Sequence, residues 1–472
     1  MIVMAAIKTG VPGSGYGNAY VDALIWGGKA WDEASGPIKV YFGRSGDFNA
    51  AAQVHDTTFF QALWSAGDAK AWTSAEIKVF NKAMSAFAKV CGLTFAQAET
   101  VEDADIVWWK TDLGLGVLGQ HEPPAENQPW GYFNPLEESW KQLQPGGEGL
   151  NTIMHELGHG LGLAHPHDGG GDADASKFPG VRSSGDKGKY GLNQGIWTVM
   201  SYNSGWGNAE DDTRYGAQTG LGAFDIAALQ ALYGANITTA GGANTYSLPT
   251  RNAPGTGWSC IWDTGGTDTI SATRATDDVT IDLRAATLGS GKNAGGYVSR
   301  QADISGGFTV AKGVVIENAY GGKGDDRLVG NAAANYLKGN DGADILVGNS
   351  GDDILNGRTG NDKLRGGAGA DTFVFDTRPN GATNRDTIVD FNVSDDTIRL
   401  KRSIFNKLAV GELSDEAFWM GAKAHDRDDR IVYSKSSGGL YYDADGSGSG
   451  AAVKIAVLAK HLKMSADDFL VG

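Results

Sequence analysis

Residues 321–374 read GGKGDDRLV GNAAANYLK GNDGADILV GNSGDDILN GRTGNDKLR GGAGADTFV, six consecutive units of nine. Every unit opens on glycine, at 321, 330, 339, 348, 357 and 366. The fourth place holds Gly324, Ala333, Gly342, Gly351, Gly360 and Gly369, and the sixth holds Asp326, Asn335, Asp344, Asp353, Asp362 and Asp371. The eighth is always apolar: Leu328, Leu337, Leu346, Leu355, Leu364, Phe373. A glycine-rich loop does not keep a fixed period, so this is a repeat. Glycines permit a turn whose carbonyls face one ion, the aspartate supplies charge, and the eighth residue lies inward on a very short strand. Stacked units predict a parallel β-roll holding several structural Ca²⁺ ions. The ligating positions are Gly322, Gly324 and Asp326 in the first unit, then Gly339, Gly342, Asp344, Gly348, Gly351, Asp353, Gly357, Gly360, Asp362, Gly366, Gly369 and Asp371. The second unit, with Ala333 and Asn335, predicts weak or empty ion sites.

Around this array the composition sets bounds. A chain of 472 residues holds two or three domains with cores of their own. Glycine is 70 and proline only 12, which demands turns but excludes proline-rich linkers. A net charge of −16 repels phosphate backbones and anionic headgroups, leaving nucleic acid and membrane as poor partners and divalent cations as good ones. The two cysteines, Cys91 and Cys260, sit in apolar segments and read as separate core thiols. The start MIVMAAIKTG lacks the basic-then-apolar order of a cleavable export signal, and no apolar run approaches a membrane span.

The chain divides into three segments. Residues 1–20 read as an arm or short leader, 21–236 as a mixed α/β domain, and 237–472 as short strands between Gly, Asp, Asn and Thr. In the middle segment, Ile38–Phe42 and Asp105–Trp109 read as strands, and Leu113–Gly119 as a short strand broken by glycines. Ser74–Val90 reads as a helix, Pro123–Pro145 as a loop, and Asn151–Leu163 as a second helix.

That second helix carries HELGHGLGLAH at 155–165. Histidines four apart share one helix face, and the glycine lets the chain turn so that a third histidine arrives from below. His155, His159 and His165 therefore predict one catalytic Zn²⁺ with an open fourth position, and Glu156 the acceptor of a proton from its water. His167 reads as a solvent residue, and His55, His121, His425 and His461 have no ligand-like company. Downstream, WTVMSYN at 197–203 puts Met200 in a turn after such a helix.

Taken together these motifs resemble the serralysin family, secreted bacterial metzincin zinc endopeptidases with a C-terminal RTX calcium β-roll. The likeness runs from YVDALIWGGKAW, near residue 20, to the C-terminus. It implies an α+β metzincin catalytic domain followed by an all-β parallel β-roll or β-sandwich domain. It further implies that Glu156 is the general base, that Met200 is a structural hydrophobic floor, and that Tyr202 is a displaceable zinc ligand able to bond the oxyanion. By the same likeness WDTGGTDT at 262–269 supplies calcium ligands Asp263, Gly265, Gly266 and Asp268, with Glu317 closing a neighbouring site. Asp443 and Asp445 bind calcium or make a turn, the turn being favoured. The family implies protein or peptide substrates, monomers, and room for a proteinaceous inhibitor. It also implies export through a type I transporter that reads the C-terminus, here Asp467–Gly472, taken as an address outside the core. The 167–194 loop departs from the family, so substrate preference does not carry over. The alternative is a non-catalytic RTX adhesin or surface protein with a relic protease domain.

Overall fold

The computed structural model describes residues 5–54, 69–171, 175–210 and 212–472; His55 lies outside them. The first half is built on a five-stranded sheet. Its strands are β1 (Ile38–Phe42), β2 (Phe95–Gln97), β3 (Ile106–Lys110), β4 (Gly119–His121) and β5 (Trp130–Phe133), in the order β2-β1-β3-β5-β4. All pairs are parallel except β4, which lies antiparallel to β5 at one edge.

Strand β3 is buried along its whole length because both faces are covered. Trp108 points into the main core with Phe42, Phe80 and Phe133, while its neighbours Val107 and Trp109 point the other way, into a smaller cluster with Tyr41, Trp130 and Tyr132. The helices of this half are α1 (Ala19–Leu24), α2 (Phe48–Val54), α3 (Ser74–Val90), α4 (Glu148–Gly160) and α5 (Ala223–Tyr233). A capping box starts α3: Thr73 Oγ1 accepts from Glu76 N at 3.2 Å, and Glu76 Oε2 accepts from Thr73 N at 2.7 Å.

Three boundaries differ from expectation. No strand forms over 113–118, where Gly114 and Gly116 both take φ of 82°; pairing begins only at Gly119. The stretch 123–145 is not all loop, since WGYF forms β5 and is buried throughout. Helix α4 starts three residues early, at Glu148, with Gly147 as its N-cap. It stops at Gly160 because Gly162 turns the chain at φ +86°, where a Cβ would lie 2.1 Å from Lys29 O.

Among the described residues no α-helix lies beyond Tyr233, and no helix is long and apolar enough to cross a membrane. The second half is built on two large sheets, of ten and nine strands, made mostly of parallel pairs. Each nonapeptide pairs with the unit after next: Tyr336 faces Ile354 in one sheet, and Ile345 faces Lys363 in the other. All six eighth-position residues are fully buried between the sheets, as a β-roll requires. Cys91 and Cys260 are buried and free, in keeping with two separate core thiols. The C-terminus needs correction: Phe469–Val471 is a strand between Thr397–Leu400 and Gly411–Glu412, with Phe469 and Val471 buried. Its alternating apolar residues belong to the core.

Candidate metal centre and its cleft

The three imidazoles of 155–165 converge. His165 Nε2 lies 3.2 Å from His155 Nε2 and 3.0 Å from His159 Nε2. Each ring's other nitrogen faces an oxygen: His155 Nδ1 meets Val199 O at 2.9 Å, His159 Nδ1 meets Leu163 O at 2.8 Å, and His165 Nδ1 meets Asp168 Oδ2 at 2.7 Å. Those acceptors assign the N–H of every ring to Nδ1, leaving three Nε2 lone pairs pointed at one spot. Burial and the neighbouring rings push the His155 pKa down to about 4 and that of His159 well below its usual value. Three neutral lone pairs in contact repel one another unless they share a cation, so the donor set fits one Zn²⁺.

The surroundings hold this arrangement. Met200 is fully buried under α4, its sulfur so close to Gly158 that a Cβ there would lie 2.5 Å away. The turn carrying it is pinned by Asp225, whose carboxylate accepts from Thr198 Oγ1 at 2.6 Å, and from Val199 N and Gly222 N at 2.8 Å each. Burial raises the Asp225 pKa to about 6. Glu156 is buried beside His155, and burial raises its pKa to about 8. Tyr202 is 59% exposed, its ring centroid 4.8 Å from His165 and 5.6 Å from His155.

His167 is not a solvent residue. Its side chain is 17% exposed and its ring stacks on His165 at 4.8 Å. Spacing could not show this, because the stack depends on how the loop folds back. Asp168 and Asp225 were missed for the same reason: each acts across a turn or from another helix. His121 is buried, accepting from Trp108 Nε1 at 3.0 Å, and His425 lies near Asp426 and Asp429.

The second group of expected ligands also comes together. Asp263 Oδ1 accepts from Gly265 N at 3.0 Å, and Glu317 Oε2 from Asp268 N at 2.7 Å. Asp268 Oδ1 accepts from Asn244 N at 2.8 Å, while its Oδ2 is buried without a partner. Gly265 and Gly266 take φ of 139° and 134°. In the array the sixth-position aspartates form ladders. Asp344 Oδ1 accepts from Asp326 N, Asp362 Oδ1 from Asp344 N, and Asp371 Oδ1 from Asp353 N, at 2.8 to 2.9 Å. The Oδ2 atoms of Asp344, Asp353, Asp362 and Asp371 are buried with no protein partner. Four buried carboxyl oxygens without a protein partner fit hard cations.

The second unit has a different set of bonds. Asn335 Nδ2 donates to Glu317 O at 3.1 Å, so an internal hydrogen bond stands where a carboxylate would seek an ion. Beyond the array Asp386 and Asp396 extend the ladders, accepting from Asp362 N and Asp371 N at 3.2 and 3.0 Å. The segment from Asp443 makes the favoured turn: Asp443 Oδ1 accepts from Asp445 N at 3.3 Å, and Asp445 Oδ2 from Gly450 N at 2.9 Å.

The chain thus joins a three-histidine centre to a glycine–aspartate β-roll. Residues 224–414 match the family described as Peptidase M10 serralysin C terminal. The chain is 31% identical over 302 residues to a serralysin of Photorhabdus laumondii, covering 58% of this chain and 59% of that protein. It is 38% identical over 204 residues to the metallopeptidase AprA of Pseudomonas marginalis, covering 40% and 38% respectively. The match thus spans less than two thirds of either relative. Among solved structures, the AlgE6R3 subunit of the Azotobacter vinelandii mannuronan C5-epimerase matches 31% of this chain and 78% of its own, at 28% identity and a TM-score of 0.24. The resemblance to the serralysin family is borne out by the family match and by these relatives.

Proposed function

We propose that this chain is a secreted zinc endopeptidase of the serralysin kind, with a metzincin catalytic domain over 21–236 after a short arm at 1–20, and a calcium-stabilised roll over 237–472. The observation that carries this reading is the contact of three Nε2 atoms whose Nδ1 partners are all committed, beside the buried Glu156 carboxyl. His155, His159 and His165 would hold the zinc. When bound, zinc supplies a Lewis acid that makes a water acidic near neutral pH and polarises the carbonyl to be cut.

Glu156 takes the proton from the attacking water and passes it to the leaving amide nitrogen. Burial alone opposes the ionised carboxylate, and the cation beside it would favour that proton-accepting form. Tyr202 turns its hydroxyl toward the carbonyl oxygen and donates a hydrogen bond as negative charge develops there. Asp168 and Val199 O keep two of the rings in the required tautomer. Ca²⁺ would sit between turns of the roll on Asp326, Asp344, Asp353, Asp362 and Asp371 with glycine carbonyls, and on Asp263, Asp268 and Glu317 in the loop ahead of it.

Protein substrates, extracellular location and export through the C-terminus rest on kinship. An intact ligand set, base and tyrosine speak against a relic domain. The test is digestion of casein by the zinc-loaded chain, with and without chelator, followed by sequencing of the fragments. Casein left whole by zinc-loaded protein would reject the reading.

A further inference from the structure

Tyr202 borders the cleft beside the histidines, a cavity of about 500 Å³ that His155 and Glu156 also line. Its backbone is held, since Asp225 pins the turn just upstream, at Thr198 and Val199. Its side chain is half exposed, so the two side-chain torsions are set by the few rings it touches. Those rings are His155, His165 and His167, with centroids at 5.6, 4.8 and 5.0 Å. The first two are expected zinc ligands. The third has no such duty.

His167 reaches Tyr202 because the chain reverses directly after His165. Asp168 N and Gly169 N both donate to His165 O, at 3.3 and 3.1 Å, and Pro166 sets the backbone torsion at the start of that turn. The reversal lays the His167 ring on His165 at 4.8 Å with 22° between their planes, and tilts it 58° against Tyr202. His167 Nδ1 is buried without a partner among the described residues, and Nε2 stands 3.7 Å from Asp168 Oδ2, beyond hydrogen-bond length. Nor is His167 among the described residues that line the cleft. What it offers is two ring contacts, one on an expected ligand and one on Tyr202.

We propose that His167 is a positioning residue for Tyr202: braced on His165, its ring holds the phenol beside the three histidines, so that the hydroxyl can serve both the ion and the oxyanion. The inference deepens the peptidase reading above, in which Tyr202 is the oxyanion donor. Aromatic contacts depend on ring geometry, so phenylalanine should replace histidine here and alanine should not.

The test begins with the copper-loaded full chain, because a phenolate on Cu²⁺ gives a visible charge-transfer band and imidazoles that suit zinc also suit copper. The unaltered chain should show the band. His167→Ala should keep its copper and lose most of the band, and His167→Phe should restore it. In the zinc-loaded chain His167→Ala should lower kcat for peptide hydrolysis about tenfold or more with KM unchanged, since an ångström of misplacement can cost about 10²-fold. Added to Tyr202→Phe it should lower kcat no further, because it acts through that hydroxyl. No band in the unaltered chain, a band or kcat unchanged by His167→Ala, no recovery in His167→Phe, or losses that multiply in the double variant overturns the proposal. Loss of the metal from His167→Ala overturns it too, since His167 would then support the whole site. Should His167→Ala fail to fold, His167→Leu, which keeps the bulk without a flat ring, takes its place. A zinc-loaded chain that cuts no peptide while the copper band follows His167 as expected sinks the peptidase reading alone.

Discussion

Both carboxylate oxygens of Glu76 accept from the ammonium of Lys110, at 2.9 and 2.8 Å, tying α3 to the central strand β3. Neither residue is more than 7% exposed. Burial alone would raise the Glu76 pKa, but bonds from Lys110, Thr73 and Trp140 Nε1 outweigh it and hold the carboxyl below its usual value. Lys110→Met would strand a buried charge and should cost about 3–5 kcal/mol of unfolding free energy. Urea denaturation measures this, and adding Glu76→Gln to the same chain should recover part of the loss.

Glu156→Ala removes the proton acceptor and leaves the three rings in place. Zinc content by atomic emission should stay at one catalytic ion while turnover falls by about 10²–10⁴. Turnover close to that of the unaltered chain would reject Glu156 as the base.

Tyr202→Phe keeps the ring contacts with His155 and His165 but loses the hydroxyl. The expected result is a fall in kcat of roughly 10²–10³ with zinc retained. A rise in KM with kcat unchanged would make Tyr202 a binding residue.

Asp225 gives a pH dependence of definite sign. Its folded pKa, raised by burial to about 6, lies above the usual carboxyl value, so the folded state binds the extra proton between about pH 4 and 6. The group's stabilising contribution is complete below pH ~4 and is lost as pH rises through ~6, a change of about 3 kcal/mol. Asp225→Asn, which can still accept from Val199 N and Gly222 N, should lack this change. The difference in unfolding free energy between the two proteins, measured at fixed calcium from pH 4 to 7, should therefore drift by that amount in favour of the variant. A difference independent of pH would reject the assignment.

Calcium should govern the second half. With four Oδ2 atoms buried and unpaired, the roll without cations leaves these carboxyls desolvated, and burial pushes the Asp344 pKa up to about 8. Circular dichroism of the full chain refolded in excess chelator should lack much of the strand signal, and millimolar Ca²⁺ should restore it reversibly. Full strand content in chelator would mean that the roll stands without ions.

Much of the site and the roll was legible because it is local. Three histidines, their glutamate and Gly162 fall within eleven residues, and one helix plus one turn fixes their geometry. The roll was legible because its period repeats the same contacts. A β-carbon on Gly339 would lie 2.0 Å from Asp344 Oδ2, and the same clash recurs between Gly348 and Asp353 and between Gly357 and Asp362. The features that escaped depend on distant partners. Strand β5 hid between prolines because only its neighbours β3 and β4 make it a strand. Asp386 and Asp396 fall out of period because the chain inserts residues before each, and only their bonds back to Asp362 and Asp371 return them to the ladders. The place of the terminal strand in the core escaped because a few alternating apolar residues at a chain end do not reveal their pairing until Thr397–Leu400 is seen beside them.

Since neighbouring nonapeptides lie in opposite sheets and each pairs with a unit eighteen residues away, the array has a parity. Losing or gaining one unit of nine would send every later strand to the opposite sheet, so that Thr397–Leu400 and Phe469–Val471, moving together, would leave the sheet that runs back to Asn318–Tyr320. A change of two units leaves sides and ladders intact. Such a domain can lengthen or shorten by duplication only in even steps, so its viable sizes form a discrete series spaced by eighteen residues.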